Sequence, residues 1–255
     1  MHALVIMVHG VGEHSGRYDQ WAEKFTEQSV GFLTFDLHGH GNSPGIRGHA
    51  SIRSIKNDLR TIIQNMHEKY PDVPLVLFGY SMGGQIVLSY ALDHQENIQG
   101  IIASSSWLKL VRPPSPLLRW LARWVSYIVP WWTVRTGIRA DQFSQNSTAK
   151  RSTKKDPLLH KKISIKLFSD LWKNGNKLLC NKQQVNIPLL LMHGNADPLT
   201  SFQASKSFAQ NAGKHATFKE WDGMRHDLLN NDDSECVFQY VMKWLSNKVI
   251  ENGTV

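Results

Sequence analysis

A chain that must pass from a buried strand into a helix within a single residue has few folds open to it, and residues 74–93 make that demand. Pro74 to Phe78 is an apolar run of strand length, and Gly84 to Asp93 brings Ile86, Val87, Tyr90 and Ala91 as a helix. Between them stands Gly79-Tyr80-Ser81-Met82-Gly83. Glycine two residues before and two after Ser81 lets the backbone fold back without a clash, which sets Ser81 at the apex in a strained conformation. The same strand-then-helix alternation recurs along the chain. Ala3 to Val8, Phe32 to Phe35, Leu75 to Phe78, Ile98 to Ala103, Pro188 to Met192 and Thr217 to Trp221 are short, rich in Val, Ile and Leu, and unalternating. Strands covered on both faces have that character. Ser51 to Tyr70 carries Ile52, Ile55, Leu59, Ile62, Ile63 and Met66 on one face, with Ser51 as N-cap and Pro71 at the exit. Ser234 to Val249 repeats the pattern with Val237, Val241, Trp244 and Leu245. The sequence predicts an α/β domain with one mostly parallel sheet and helices on both faces.

The alternation breaks between Trp107 and Gln184, where no strand-like run is visible. Ser115 and Pro116 open a helical segment that ends at Pro130, with Leu117, Leu121, Trp124 and Ile128 on one face and Arg119 and Arg123 elsewhere. A polar, basic stretch from Ser144 to Lys162 leads to a second helix near Ile163 to Lys173. From Trp107 to Lys182 the chain holds 16 Lys or Arg against 3 Asp or Glu, and six of its nine Trp. The rest is mildly acidic, although the whole chain carries +8. The expected organisation is a core of residues 1–106 and 183–255 with a basic, Trp-rich helical insertion of residues 107–182. Basic residues interleaved with Trp, Leu and Pro suit contact with an anionic membrane surface better than with nucleic acid. A solvated charged face over a buried aromatic core is the other reading.

Other classes drop out on composition. Cys180 and Cys236 are the only cysteines, too few and too far apart for a disulfide framework or a cysteine zinc site, and they fit a reducing, cytoplasmic setting. No stretch approaches the roughly 18 apolar residues of a membrane span. The opening MHALVIMVHG reads as a buried strand instead of a signal peptide. His9 to His14 lacks metalloprotease spacing, and Pro44 and Gly45 prevent a helix after Gly39-His40-Gly41, so neither a metal nor a dinucleotide is expected.

Chemistry points to Ser81. G-x-S-x-G between a strand and a helix presents a serine that a base must deprotonate, with a third group orienting that base. In the order serine, acid, histidine, Asp197 follows one strand in His193-Gly194-Asn195-Ala196-Asp197-Pro198, and His226 follows the next in Gly223-Met224-Arg225-His226. Both loops open on the carboxyl edge of the sheet, with Ser81. His226 is the expected general base and Asp197 its orienting acid. Asp222 and Asp36 are rival acids, and His9, His38, His40 and His193 rival bases, each more simply read as a turn or loop-fastening residue. The oxyanion of a tetrahedral intermediate needs two donors, expected from the backbone N–H groups of Met82 and of Val11 in His9-Gly10-Val11-Gly12.

Taken together these motifs resemble the monoacylglycerol lipase and lysophospholipase branch of the α/β-hydrolases over nearly the whole chain. The likeness rests on His9 to Tyr18 (HGVGEHSGRY), Asp36 to Ser43 (DLHGHGNS), Gly79 to Gly84 (GYSMGG), His193 to Thr200 (HGNADPLT) and Gly223 to Leu228 (GMRHDL). It implies an α/β-hydrolase fold with a helical lid inserted after the sixth strand of the fold, shaping an acyl-chain channel. It also implies Ser81, Asp197 and His226 as catalytic triad, Val11 and Met82 at the oxyanion hole, no cofactor, and single-chain lipid esters, monoacylglycerols or lysophospholipids, as substrates. The same triad would serve a short-chain esterase, a thioesterase or an aminopeptidase, and a non-catalytic binding protein that retains the fold is the alternative from another class. Asp156-Pro157-Leu158 looks like the family's marker within the lid, and Glu13 and Arg17 match positions that tie down the oxyanion loop. Two departures stand out: Tyr80 replaces the family's usual His, and the chain starts at the first parallel strand, without the family's leading antiparallel hairpin. The latter predicts a shorter sheet edge or a longer natural N-terminus.

Overall fold

The apolar runs become strands because each has two faces to hide. The computed structural model describes residues 1–139, 142, 156–180 and 184–251. Among the described residues the strands are β1 (Leu4–Val8), β2 (Gly31–Thr34), β3 (Leu75–Tyr80), β4 (Gly100–Ser104), β5 (Thr133–Arg135), β6 (Lys162–Ser164), β7 (Leu189–Gly194) and β8 (Ala216–Trp221). Six of them form one parallel sheet in the order β2-β1-β3-β4-β7-β8. Successive side chains of β1 go to opposite faces. Leu4, Ile6 and Val8 join one apolar cluster and Ala3, Val5 and Met7 the other, so all of β1 is buried. On the first face lie α2 (Ile52–Lys69), α3 (Met82–Asp93), α5 (Ile165–Cys180) and α6 (Phe202–Asn211). The second face is covered by α1 (Asp19–Glu27) and α7 (Ser234–Leu245), which continues as one π turn, Ser246–Ile250.

The helices start where their caps allow. Ser51 accepts from the Ser54 N–H at 3.1 Å to open α2. Helix α3 is buried all round from Met82 to Leu92, as a central helix without a polar stripe must be. It begins directly after Ser81, two residues earlier than the apolar periodicity indicates, because Gly83 and Gly84 are its first turn and not part of the loop.

The strand order reverses between β1 and β3: from β1 the chain goes outward to β2, then crosses back to β3, β4, β7 and β8. The loops after β1 and β3 therefore leave the sheet side by side and in opposite senses, which opens a crevice at that carboxyl edge. The loop of residues 9–14 and the turn at Ser81 are the two walls of that crevice.

Residues 107–180 run from β4 towards β7 with a different architecture. Helix α4 (Pro116–Ile128), capped by Ser115, packs against α5. The expectation of no strands here is corrected, since β5 and β6 pair antiparallel, with Val134 opposite Ile163. Three-residue strands are too short to display a period of two, so the sequence pattern missed them. The second helix starts at Ile165 and not Ile163, because Lys162–Ser164 is taken by the pairing. The face of α4 carrying Leu117, Leu121, Trp124 and Ile128 is 42–75 % exposed. The alternative of a buried aromatic core here is thereby excluded for α4. The basic stretch from Ser144 to Lys155 lies outside the described residues.

The approach of α3 to β1 is the tightest point of the fold. A Cβ at Gly83 would lie 1.9 Å from the Val8 carbonyl oxygen and 2.8 Å from that of His9. Gly83→Ala is expected to destabilise the protein by about 3 kcal/mol or more, read as a lowered urea midpoint with unchanged m.

Candidate active site

Ser81 is held by its backbone before its side chain does anything. It sits at φ 54°, ψ −112°, a region that costs a non-glycine residue about 1–3 kcal/mol. Its N–H donates to the Ser104 carbonyl (2.9 Å), and its carbonyl accepts from Gln85 N–H (3.1 Å) and Trp107 N–H (3.0 Å). With both backbone groups engaged, the side chain is thrust up at the carboxyl edge, only 5 % exposed.

Two loops from neighbouring strands converge on it. His226, in the loop after β8, has Nε2 3.0 Å from Ser81 Oγ, and its Nδ1 lies 2.7 Å from Asp197 Oδ2. Asp197, in the loop after β7, is fixed by the N–H groups of Leu199 (2.7 Å) and Thr200 (3.1 Å) on Oδ1 and by the Thr200 hydroxyl (2.7 Å) on Oδ2. All three side chains are buried. Burial alone would raise the Asp197 carboxyl, but the charge of His226 and hydrogen bonds from His193 and His226 hold it well below the usual carboxylate range. Burial alone would lower His226, yet the adjacent Asp197 carboxylate holds it above an ordinary imidazole. Neutral His226 then donates Nδ1–H to Asp197 and leaves Nε2 to accept the Ser81 proton.

His193 is the residue that sequence reasoning undervalued. It fastens the loop after β7, and does so at the acid itself: its Nε2 lies 3.0 Å from Asp197 Oδ2 and 3.3 Å from the Thr200 carbonyl oxygen, and its Nδ1 accepts from Ser205 Oγ at 2.8 Å. Its place at the end of a buried strand, four residues before the acid, was the available signal. The other rivals fall into structural roles. Asp222 accepts from Asn195 at the turn (2.8 Å), and Asp36 accepts from the N–H groups of Ser15 and Asn42, both at 2.7 Å. His9 receives the Leu37 N–H on Nε2 (3.1 Å), and burial pushes it down to about 4, so it stays neutral. His40 is buried and bonds the His38 carbonyl, while His38 itself is exposed.

The loop after β1 is shaped by a second buried network. Arg17 bridges Glu13 (3.0 Å) and Asp227 (2.9 Å), the residue after His226. Glu13 also accepts from the Tyr18 hydroxyl (3.0 Å) and the Gly10 N–H (3.1 Å). Gly10 being so engaged, the Val11 N–H is left without a hydrogen-bond acceptor among the described residues. Met82 N–H, at the first turn of α3, likewise has no intrahelical acceptor. Asp227 was not singled out from sequence, because nothing local marks its ion pair with a residue 210 positions away. Tyr80, where a histidine was the family expectation, is buried with its ring 5.2 Å from that of His226.

Above Ser81 and His226 a cavity of about 240 Å³ opens, walled chiefly by Val11, Trp107, Leu110, Ile163, Phe168 and Leu199, with Arg112 at its edge. A buried serine, histidine and aspartate joined in series beneath an apolar cavity, on the carboxyl edge of a parallel α/β sheet, are the arrangement that serine hydrolases of the α/β-hydrolase fold use. Comparison with known families agrees: the chain belongs to Hydrolase_4, the serine aminopeptidase, S33, family, matched over residues 1–233. It is 32 % identical over 254 residues to an abhydrolase domain-containing protein of Dictyostelium discoideum, covering 98 % of this chain and 27 % of that one. It is 26 % identical over 245 residues to the monoacylglycerol lipase of Mycolicibacterium smegmatis, covering 95 % of this chain and 87 % of that one. The crystal structure of Paleococcus ferrophilus monoacylglycerol lipase superposes with a TM-score of 0.90 at 30 % identity, over 96 % of this chain and 94 % of the other. The chain thus spans about a quarter of the length of the Dictyostelium relative.

The geometry sets opposite signs for two substitutions. Asp197→Asn removes the charge that favours imidazolium, so the acid limb of Ser81 labelling by a fluorophosphonate should move to lower pH while the rate falls about 10⁴-fold. His193→Ala leaves the carboxylate less satisfied and its charge more fully directed at His226. The limb should move to higher pH, with a loss of about tenfold.

Proposed function

We propose that the protein hydrolyses carboxylic esters of single-chain lipids, with monoacylglycerols as the favoured substrates, through an acyl-enzyme on Ser81. The observation that carries this reading is the Ser81–His226–Asp197 series at the floor of a narrow apolar cavity. The acyl chain occupies that cavity and the ester carbonyl rests against Ser81. His226 takes the Ser81 proton as Oγ attacks, then returns it to the departing glycerol oxygen. Asp197 holds the tautomer and stabilises the imidazolium. The developing oxyanion is received by the N–H groups of Val11 and Met82, with the N-terminus of α3 aimed at it. Water then repeats the sequence and releases the fatty acid. No metal or cofactor enters this scheme.

Residues 107–182 act in this reading as the lid over the acyl cavity and as the face that meets the membrane. Leu117, Trp120, Leu121, Trp124 and Ile128 of α4 are exposed, as are Trp131 and Trp132, and Arg119 and Arg123 flank them. Apolar surface of that extent, bordered by cations, suits the headgroup region of an anionic bilayer. No helix among the described residues is long and apolar enough to cross a membrane, so the contact is peripheral in this proposal. Both cysteines are free and exposed, which fits a reducing, cytoplasmic setting. A lysophospholipid is the second reading, favoured by Arg112 at the cavity edge, where it would face a phosphate.

Ser81→Ala should abolish ester hydrolysis, a loss on the order of 10⁶-fold, with unchanged circular dichroism. With the parent protein, a panel of monoacylglycerols, lysophospholipids, short p-nitrophenyl esters and aminoacyl amides should give the highest kcat/KM on monoacylglycerols. Best turnover of short esters or amides would overturn the lipid assignment. Replacing Trp124 and Ile128 by Ser should weaken sedimentation with anionic vesicles by about tenfold or more and leave turnover of a soluble short-chain ester within about twofold.

A further inference from the structure

A second cavity, of about 490 Å³, lies between α4 and α5. It is lined by Arg119 and Arg123, one helical turn apart on α4, by Lys173 of α5, and by the rings of Trp120 and Trp172. Among the described residues no carboxylate lines it. The nearest acid in α5, Asp170, is paired with Lys166. The Arg119 guanidinium lies 4.4 Å from the centroid of the Trp172 ring. Stacking of that kind fixes the plane of the group yet leaves its in-plane N–H donors free for an anion. Lys173, 5.6 Å from the Tyr127 ring centroid, is held in the same way by an aromatic face and not by a counter-ion. Three cations therefore converge on an open cavity with aromatic walls and no internal neutralisation, an arrangement that costs self-repulsion unless an anion fills it.

We infer that this groove binds the headgroup of a phosphomonoester-bearing lipid. A phosphomonoester offers three strong acceptor oxygens and between one and two negative charges, matching two guanidinium groups and an ammonium better than a singly charged diester does. A lipid source is favoured over a soluble phosphate because Trp120 belongs both to the groove and to the exposed apolar face of α4. Phe168, in addition, lines both this groove and the cavity over Ser81. A headgroup seated here would leave its acyl chains beside Trp120 and Trp124 in the bilayer. The catalytic cavity would then be one ring away from the membrane surface. This assignment rests on the membrane reading of α4 and adds to it a preference among anionic lipids.

The test compares phosphatidylcholine vesicles carrying phosphatidic acid with others carrying phosphatidylserine, at matched surface potential. The parent protein should bind the phosphatidic acid vesicles about tenfold more tightly. Arg119→Gln with Arg123→Gln should abolish that preference. Arg135→Gln with Lys162→Gln, an exposed pair on β5 and β6 outside the groove, should weaken binding to both vesicle types alike and keep it. Equal affinity for the two vesicle types, or a preference that survives the Arg119 and Arg123 changes, would overturn the headgroup site alone. Binding to neither vesicle type would sink the membrane reading with it. Tight binding of soluble glycerol phosphate, equal to that of the vesicles, would reassign the groove to a soluble ligand and overturn the lipid.

Discussion

The backbone of Ser81 occupies a conformation that costs it about 1–3 kcal/mol, and the surrounding structure exists in large part to keep it there. Four neighbours hold it. Strand β4 takes its N–H through Ser104, the first turn of α3 and Trp107 take its carbonyl, and β1 presses on α3 at Gly83. Each contact requires an absent side chain or a buried strand, which is why glycines stand at 79 and 83 and why β1 and β3 are apolar without interruption. A Cβ at Gly79 would come within 2.3 Å of the Gly83 carbonyl oxygen. Local strain and global packing meet here: the turn that strains Ser81 is the one that lays Gly83 of α3 against the carbonyls of Val8 and His9.

The charges follow from the same crowding. Asp197 and His226 are both buried, a placement that each alone would resist by discharging. As a pair they stay polarised because five donors reach the carboxylate: two backbone N–H groups, the Thr200 hydroxyl and two imidazoles. A parallel logic governs Glu13, Arg17 and Asp227. Burial raises Glu13, Arg17 opposes that shift, and Arg17 in turn remains protonated between two carboxylates. That second network links the loop carrying Val11 to the loop carrying His226. The proposed oxyanion donor and the proposed base therefore stand on loops tied by a single guanidinium.

How much of this was legible in the sequence depends on the range of the interaction. The turn at Ser81, the N-caps at Ser51 and Ser115 and the apolar strands are set by neighbours a few residues away, so local pattern found them. The partners Asp197 and His226 were found through chain order and loop position. Asp227 was not, since its ion pair joins residues 210 positions apart; His193 was weighed only as a rival base, although it stands four residues before the acid that it bonds. Strands β5 and β6 escaped because three residues carry no period. The apolar face of α4 was legible as a face, but periodicity does not say whether a face is covered. That answer came from the structure, where α5 occupies one side of α4 and nothing among the described residues covers the side bearing Leu117, Trp124 and Ile128.

That uncovered helix is nevertheless firmly connected to the chemistry. On the core side, α5 is fastened to α3 by the Gln85 amide, which donates to the carbonyls of Trp107 and Leu171 (3.0 Å for the latter) and accepts from Asn174 (3.2 Å). Gly175 lies against the Leu108 backbone, too close for any side chain. At the other end the segment is pinned to the loop after β1 by His14 with Asp156 (2.7 Å) and by His160 N–H on the Gly12 carbonyl (3.0 Å). An apolar helix left in water costs about 25 cal/mol for every Å² it exposes. What holds α4 in place among the described residues is its packing on α5, which is itself anchored to α3 by those polar contacts. Gln85 lies in the first turn of α3, directly after Ser81, so α4, α5 and α3 form one packed stack between the exposed apolar face and the serine.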